Sequence, residues 1–344
     1  MYMPKQKNCK TIKYVWVLLL VTVLVCSVTG CTVLGREPAY QNARVHIVTT
    51  VFPPYDFARN ITFGMEDIYI QQLLRPGMES HTYDPTPADI LAVQHCDLFI
   101  YTGGESDAWV DTLLEAADNP EMQVLRMMDC VETLEEESVE GMSAGHSHAH
   151  HEDEAEHAHE DHDEIEYDEH VWTAPSCAEK ITEAITDVLC EMDAPSAGLY
   201  RQNCQQYIEQ LTALDAYFDE IVHSGARSTV VFGDRFPMRY LCDAYGLSYR
   251  AAFPGCAEES EPSAATMIYL IEKVKSEQIP VIFTIEMSNG KIAAAIAEET
   301  GAEISVMHSC HNRTAKEAAE DATYLSLMYQ NADALKLALA ANLE

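Results

Sequence analysis

The chain has 344 residues, 47% of them hydrophobic, which is enough to build two cores of ordinary domain size. Its 21 lysines and arginines stand against 56 acids, and the formal charge of -35 excludes a nucleic-acid partner, which needs a basic face to meet phosphates. A field of that sign favours cations, although acidity of this kind most often serves solubility.

Lys5, Lys7, Lys10 and Lys13 precede an almost unbroken apolar run from Tyr14 to Val28, the pattern of a signal peptide over residues 1–30. The run is short for a membrane span, which takes about 20 apolar residues. It ends in Val28-Thr29-Gly30-Cys31, which resembles a bacterial lipobox. Cleavage there would leave the Cys31 thiol to carry a diacylglycerol and residues 31–44 to form a lipidated tether; an uncleaved membrane anchor is the alternative.

Val45 to Val51 is β-branched and predicts the first strand. A helix about Tyr55 to Asn60 follows, then a segment ending Leu73-Leu74-Arg75-Pro76-Gly77 and a polar loop from Met78 to Pro87. Pro87-Ala88-Asp89 opens a helix running to His95, and Asp97 to Tyr101 has the composition of a buried strand. Residues 132–169 mix acids and histidines with Gly, Ser and Ala, show no apolar periodicity and predict a disordered or very mobile loop. Order resumes at His170-Val171-Trp172. From Ser196 to His223 the residues Tyr200, Tyr207, Leu211, Leu214, Tyr217 and Ile221 recur at helical spacing, predicting a rod of about 40 Å.

Beyond the rod the alternation restarts. Ser228 to Phe232, Tyr249 to Phe253, Pro280 to Ile285 and Glu303 to Met307 read as strands. Phe236 to Tyr245, Ser263 to Glu277, Lys291 to Thr300 and a closing segment from Ala315 to Leu343 read as helices. The predicted architecture is α/β: two similar lobes with parallel-type sheets, residues 45–192 and 225–344, joined by one long rigid helix at 193–224. Of the eleven cysteines, Cys9 and Cys26 leave with the signal, and no CxxC remains to suggest a zinc ribbon.

Eight of the fourteen histidines lie between His146 and His170, while His81, His308 and His311 stand in predicted loops or at strand ends. Imidazole is the commonest ligand for zinc, copper and nickel. Single ligands at strand ends can converge in the crevice of an open α/β sheet.

The segment Ser80-His81-Thr82-Tyr83-Asp84-Pro85-Thr86-Pro87-Ala88-Asp89 resembles the first metal-ligand loop, H-x-[YF]-[DE]-P-T-P-x-D, of the ZnuA-like (TroA-like) zinc-binding proteins of ABC importers. Tyr167-Asp168-Glu169-His170-Val171-Trp172-Thr173-Ala174-Pro175 is similar to that family's second-ligand segment, D-x-H-x-W-x-x-P, and directly follows a His-rich acidic loop as it does there. Val48 to Phe57 resembles the family's first strand and turn. The resemblance covers essentially the whole chain beyond the leader. It implies two four-stranded lobes with a divalent metal held between them, an ABC permease as partner, a monomer, no enzymatic activity, and a place on the outer face of the cytoplasmic membrane.

Residue by residue, the resemblance carries over His81 and His170 as ligands. In the C-terminal lobe, Phe232-Gly233-Asp234-Arg235-Phe236-Pro237 puts Gly233 where the family has a His or Glu, so either Asp234 supplies an oxygen or the third protein ligand is missing. Asp234 could alternatively cap a helix. Met307-His308-Ser309-Cys310 places His308 where the family has an Asp. Three imidazoles with at most one carboxylate favour Zn2+ over Mn2+, and geometry must discriminate against Ni2+ and Cu2+. Glu286 is a candidate acceptor behind the ligands, and His311 or Cys310 would reach the site if their loop turns. Affinity should fall as pH drops through about 6.5, when imidazoles protonate.

His146, His148, His150, His151, His157, His159 and His162 are too loosely spaced for a fixed site. They predict a scavenging reservoir that raises local zinc, with a passive linker as the alternative. A metal-dependent hydrolase is disfavoured, because His151-Glu152 and His159-Glu160 lack the second His of HExxH. A cell-adhesion protein or extracellular zinc buffer on the same fold is the competing function.

Overall fold

The computed structural model describes residues 43–79, 83–143, 166–257 and 261–341. The expected signal peptide, the Cys31 anchor, His81 and the histidines from His146 to His162 lie outside the described residues.

Strand β1 (Val45–Thr49) is buried along its whole length, as a β-branched strand covered on both faces must be. It pairs in parallel with β2 (Ile68–Gln72) and β3 (Leu98–Tyr101), and β4 (Gln123–Arg126) extends the sheet beside β3, giving the order β2-β1-β3-β4. Helices α1 (Phe52–Ile61), α2 (Pro87–Gln94), α3 (Val110–Ala117) and α4 (Pro175–Met192) accompany it. Thr86 and Asp89 form a capping box that starts α2, with Pro87 in the first turn where its missing N–H is harmless.

A second sheet repeats the plan with β5 (Thr229–Arg235), β6 (Ser248–Phe253), β7 (Val281–Thr284) and β8 (Glu303–Val306) in the order β6-β5-β7-β8, again all parallel. In each sheet the strand order reverses between the first and third strands. Connections leave in opposite directions there, and the carboxyl ends of the strands open into a crevice.

Helix α5 (Ala197–Ser224) is 28 residues and about 42 Å long. It buries Tyr200, Tyr207, Leu211, Leu214, Phe218 and Ile221, a stripe at helical spacing. One hydrophobic cluster runs from Ile47 and Phe99 through Trp172, Tyr207 and Tyr324 to Phe232 and Phe283, so both sheets share a core. Around the second sheet stand α6 (Arg239–Tyr245), α7 (Ala264–Glu277) and α8 (Lys291–Thr300).

The structure departs from the sequence reading in three places. Strands β2 and β4 and helices α3 and α4 were not among the predicted elements; β2 and β4 are short and carry polar residues, which blurs their period. The expected closing helix is two, α9 (Ala315–Ala319) and α10 (Tyr324–Ala338). Asp321 takes a left-handed conformation between them, and Thr323 with Ser326 forms a new capping box. Residues 132–143 and 166–169, expected to belong to a mobile loop, are ordered. Leu134, Val139 and Met142 pack on the core, Glu135 pairs with Tyr167, and the Asp168 N–H donates to the Leu134 carbonyl at 2.9 Å.

Gly233 lies within β5 against α8, where a Cβ would come 2.6 Å from Ala293 Cα and 2.7 Å from its nitrogen. The glycine is a close-packing device between strand and helix. Gly233→Ala should therefore destabilise the protein by about 1–3 kcal/mol, the usual cost of overpacking, as measured by denaturant unfolding.

Candidate metal centre

The cleft between the lobes is built from strand ends. Pairing of β5 with β6 is irregular between Phe232 and Arg235, so the strict alternation of side chains fails at that point. Asp234 turns into the sheet, where its carboxylate accepts the Thr284 hydroxyl at 2.7 Å and the Arg235 N–H at 3.0 Å. Arg235 turns into the cleft, which Glu79, His170, Glu286 and His311 also line. Its guanidinium lies 3.4 Å from Glu79 and 3.5 Å from the Ala257 carbonyl.

His170 is buried at the end of the segment that follows the His-rich loop. Its backbone N–H and ring Nδ1 both meet Asp168 Oδ1, at 2.8 and 3.1 Å. A carboxylate on Nδ1 fixes the tautomer and leaves Nε2 as the metal-facing nitrogen. Asp168 is itself held from the other lobe, because the Tyr240 hydroxyl on α6 donates to its carbonyl at 2.8 Å and accepts the Leu134 N–H at 3.1 Å. Burial works against a protonated His170, but the Asp168 charge and hydrogen bond outweigh it and hold its pKa above the ordinary value. Metal must then displace a proton. Gly255 gives the ring room: a Cβ there would lie 2.8 Å from the Phe236 carbonyl and 3.4 Å from His170 Cε1.

His311 arrives from the loop after β8. Cys310 takes φ +59°, which reverses the chain and swings the next side chain into the cleft. The loop is pinned on both sides. Glu286 accepts the Ser309 N–H at 2.7 Å and also its hydroxyl, while the Phe52 N–H at the start of α1 donates to the His311 carbonyl at 3.1 Å. The His170 and His311 rings stand edge to face, 5.5 Å apart, with Trp172 against both. Among the described residues, donor atoms of Glu169, His170 and His311 all lie within 4.8 Å of one another.

His308 goes elsewhere. Its Nδ1 accepts the Cys310 N–H at 2.9 Å, its Nε2 lies 3.3 Å from Glu317, and Asn331 brackets its backbone at 2.7 and 2.8 Å. It is not part of the cleft lining. Of the residues singled out from the sequence, the structure thus brings His170 and His311 together with Glu286 behind them. It places Asp234 and His308 in the C-terminal lobe with their polar atoms engaged. Arg235 and Glu169 were not anticipated. Both stand inside the segments quoted above, next to the residues singled out there.

The His308 hydrogen bond, with help from the Thr314 N–H and hydroxyl, holds the Glu317 carboxyl down at about 2. A carboxylate lowered in the folded state contributes stability above its unfolded pKa of about 4.3 and loses it as pH falls toward the folded value. Glu317→Gln should therefore lower Tm at neutral pH, and the gap to the native protein should close between about pH 4 and pH 2, followed by thermal unfolding across that range.

A family model described as the periplasmic component A of the zinc-uptake complex, ZnuA, matches residues 47–338. The high-affinity zinc uptake system protein ZnuA of Bacillus subtilis is 29% identical over 296 residues, 85% of this chain and 87% of that protein. The zinc-binding lipoprotein AdcA of Streptococcus pneumoniae is 29% identical over 299 residues; the match takes in 86% of this chain and 56% of AdcA, so the chain spans little more than half of that relative. The crystal structure of the Zn(II)-bound ZnuA-like domain of AdcA superposes with TM-score 0.68 at 26% identity, covering 86% of this chain and 99% of that one. The laminin-binding protein Lmb of Streptococcus agalactiae has TM-score 0.69 at 20% identity, covering 86% and 99%, a likeness of fold alone.

Proposed function

The chain belongs to the ZnuA family of zinc-uptake components, and on that premise we propose that it captures Zn2+ between its two lobes and delivers the ion to an ABC permease, without chemistry on the ion. One observation carries the reading: two buried imidazoles, His170 and His311, meet edge to face where the strand ends of both lobes converge. Borderline nitrogen donors in a dry site suit zinc, and Asp168 orients the first of them as metal-ligating histidines are usually oriented. His81, two positions after Glu79 in the sequence, supplies a third imidazole. Asp234 and His308 position the surrounding loop and strand.

Lobes at 45–192 and 225–344, with a connecting helix at 193–224, form a receptor whose shared core keeps closure small. Export leaves a monomer held to the outer face of the membrane by lipid on Cys31. The His-rich stretch between residues 144 and 165 serves as a scavenging reservoir that raises local zinc.

Zinc competition against a chelator, run on the native protein and on single variants, tests the reading. His170→Ala and His311→Ala should each weaken binding at least tenfold, the range seen when a ligand shell is disturbed. His308→Ala should keep the affinity and lower the Tm, and deletion of 144–165 should leave one tight site. If neither cleft substitution weakens binding while the deletion abolishes it, the cleft is not the site.

A further inference from the structure

We infer that Glu169 is a protein ligand to the captured divalent cation, supplying the oxygen donor that the cleft strands do not. This rests on the reading above that the ion sits at His170 and His311. The first support is geometric: the Glu169 carboxylate, fully buried, belongs with those two imidazoles to the one group whose donor atoms approach within 4.8 Å among the described residues. Asp234 bridges strands and His308 braces Glu317. Glu286 is held by Ser309 as Glu169 is by Ser106, but only Glu169 belongs to the group within 4.8 Å.

The surroundings of Glu169 are shaped to hold a carboxylate still while leaving it lone pairs. Ser106 donates its N–H to one oxygen at 3.1 Å and its hydroxyl to the other at 2.5 Å. An ionised carboxylate accepts at about four sites, so each oxygen keeps a position for metal. Gly104 makes the space, since a Cβ there would lie 2.3 Å from Glu169 Cβ and Oε2. Among the described residues no lysine or arginine pairs with Glu169, whose neighbours are Ser106 and the His170 ring. Burial, and then the neighbouring Glu169, push the Asp107 carboxyl up to about 7.

The test compares the native full-length protein with Glu169→Gln, which keeps the shape and removes the charge. Zinc affinity is measured by chelator competition, ligand geometry by the visible absorption of the Co2+ form, and folding by thermal unfolding without metal. The expected result is at least tenfold weaker zinc binding and a shifted Co2+ band, with metal-free Tm not reduced in proportion. Equal affinity and an unchanged Co2+ band, in a protein whose His170→Ala and His311→Ala variants do lose zinc, would overturn this assignment and leave the cleft intact. Loss of zinc in none of the three variants would instead overturn the cleft itself. Should Glu169→Gln not fold, the infrared difference spectrum of native protein, zinc-loaded minus metal-free, decides: coordination changes the splitting of a carboxylate's two stretches, and no change excludes the ligand role.

Discussion

The indole of Trp172 donates to the Ser309 carbonyl at 2.7 Å, and that contact ties the two halves of the metal centre together. Trp172 follows His170 by two residues, and Ser309 precedes His311 by two. Each ligand is thus placed by a bond that belongs to the other's segment. The Tyr324 hydroxyl donates in turn to the Trp172 carbonyl, carrying the linkage into α10. Both partners are buried, where an unmade hydrogen bond costs more than a made one gains, so the register of the two loops has little freedom.

The same stitching governs motion. Asn312 donates to the Arg75 and Met78 carbonyls, the Gly77 N–H donates to Arg313, and the Arg313 guanidinium lies 4.3 Å above the Phe52 ring. The loop after β8 is therefore fixed against the N-terminal sheet, although it belongs by sequence to the C-terminal one. With a continuous core and a 28-residue helix behind it, the protein resembles a hinge with its pin driven through both leaves. Large-scale domain closure of the kind that hinge loops permit would break these bonds. Glu79 and its Arg235 partner stand in the cleft lining outside these bonds.

Much of this was legible in the sequence, for reasons that differ from element to element. The β-branched run at Val45 and the helical stripe from Tyr200 to Ile221 announce themselves because one period persists long enough to be read. His170 was legible because its neighbours Asp168 and Trp172 have their own physical tasks, orienting the ring and walling it. His308 and His311 could not be told apart that way. Which one enters the cleft depends on a single left-handed residue, Cys310, and a non-glycine positive φ leaves no trace in hydropathy. The same holds for Gly233, Asp234 and Arg235, where one irregularity in β5 decides which side chain faces the sheet and which the cleft. Sequence patterns report the phase of a strand only while the strand is regular.

On the proposed function, one zinc ion sits between imidazoles from opposite lobes, with the His-rich stretch as an accessory. Anomalous scattering from zinc-loaded crystals, recorded on either side of the metal's absorption edge, tests it most directly. The expected result is a single strong peak within about 2.1 Å of ring nitrogens of both His170 and His311. A peak against His308 or Asp234, or zinc bound in solution with no peak in the cleft, would contradict it.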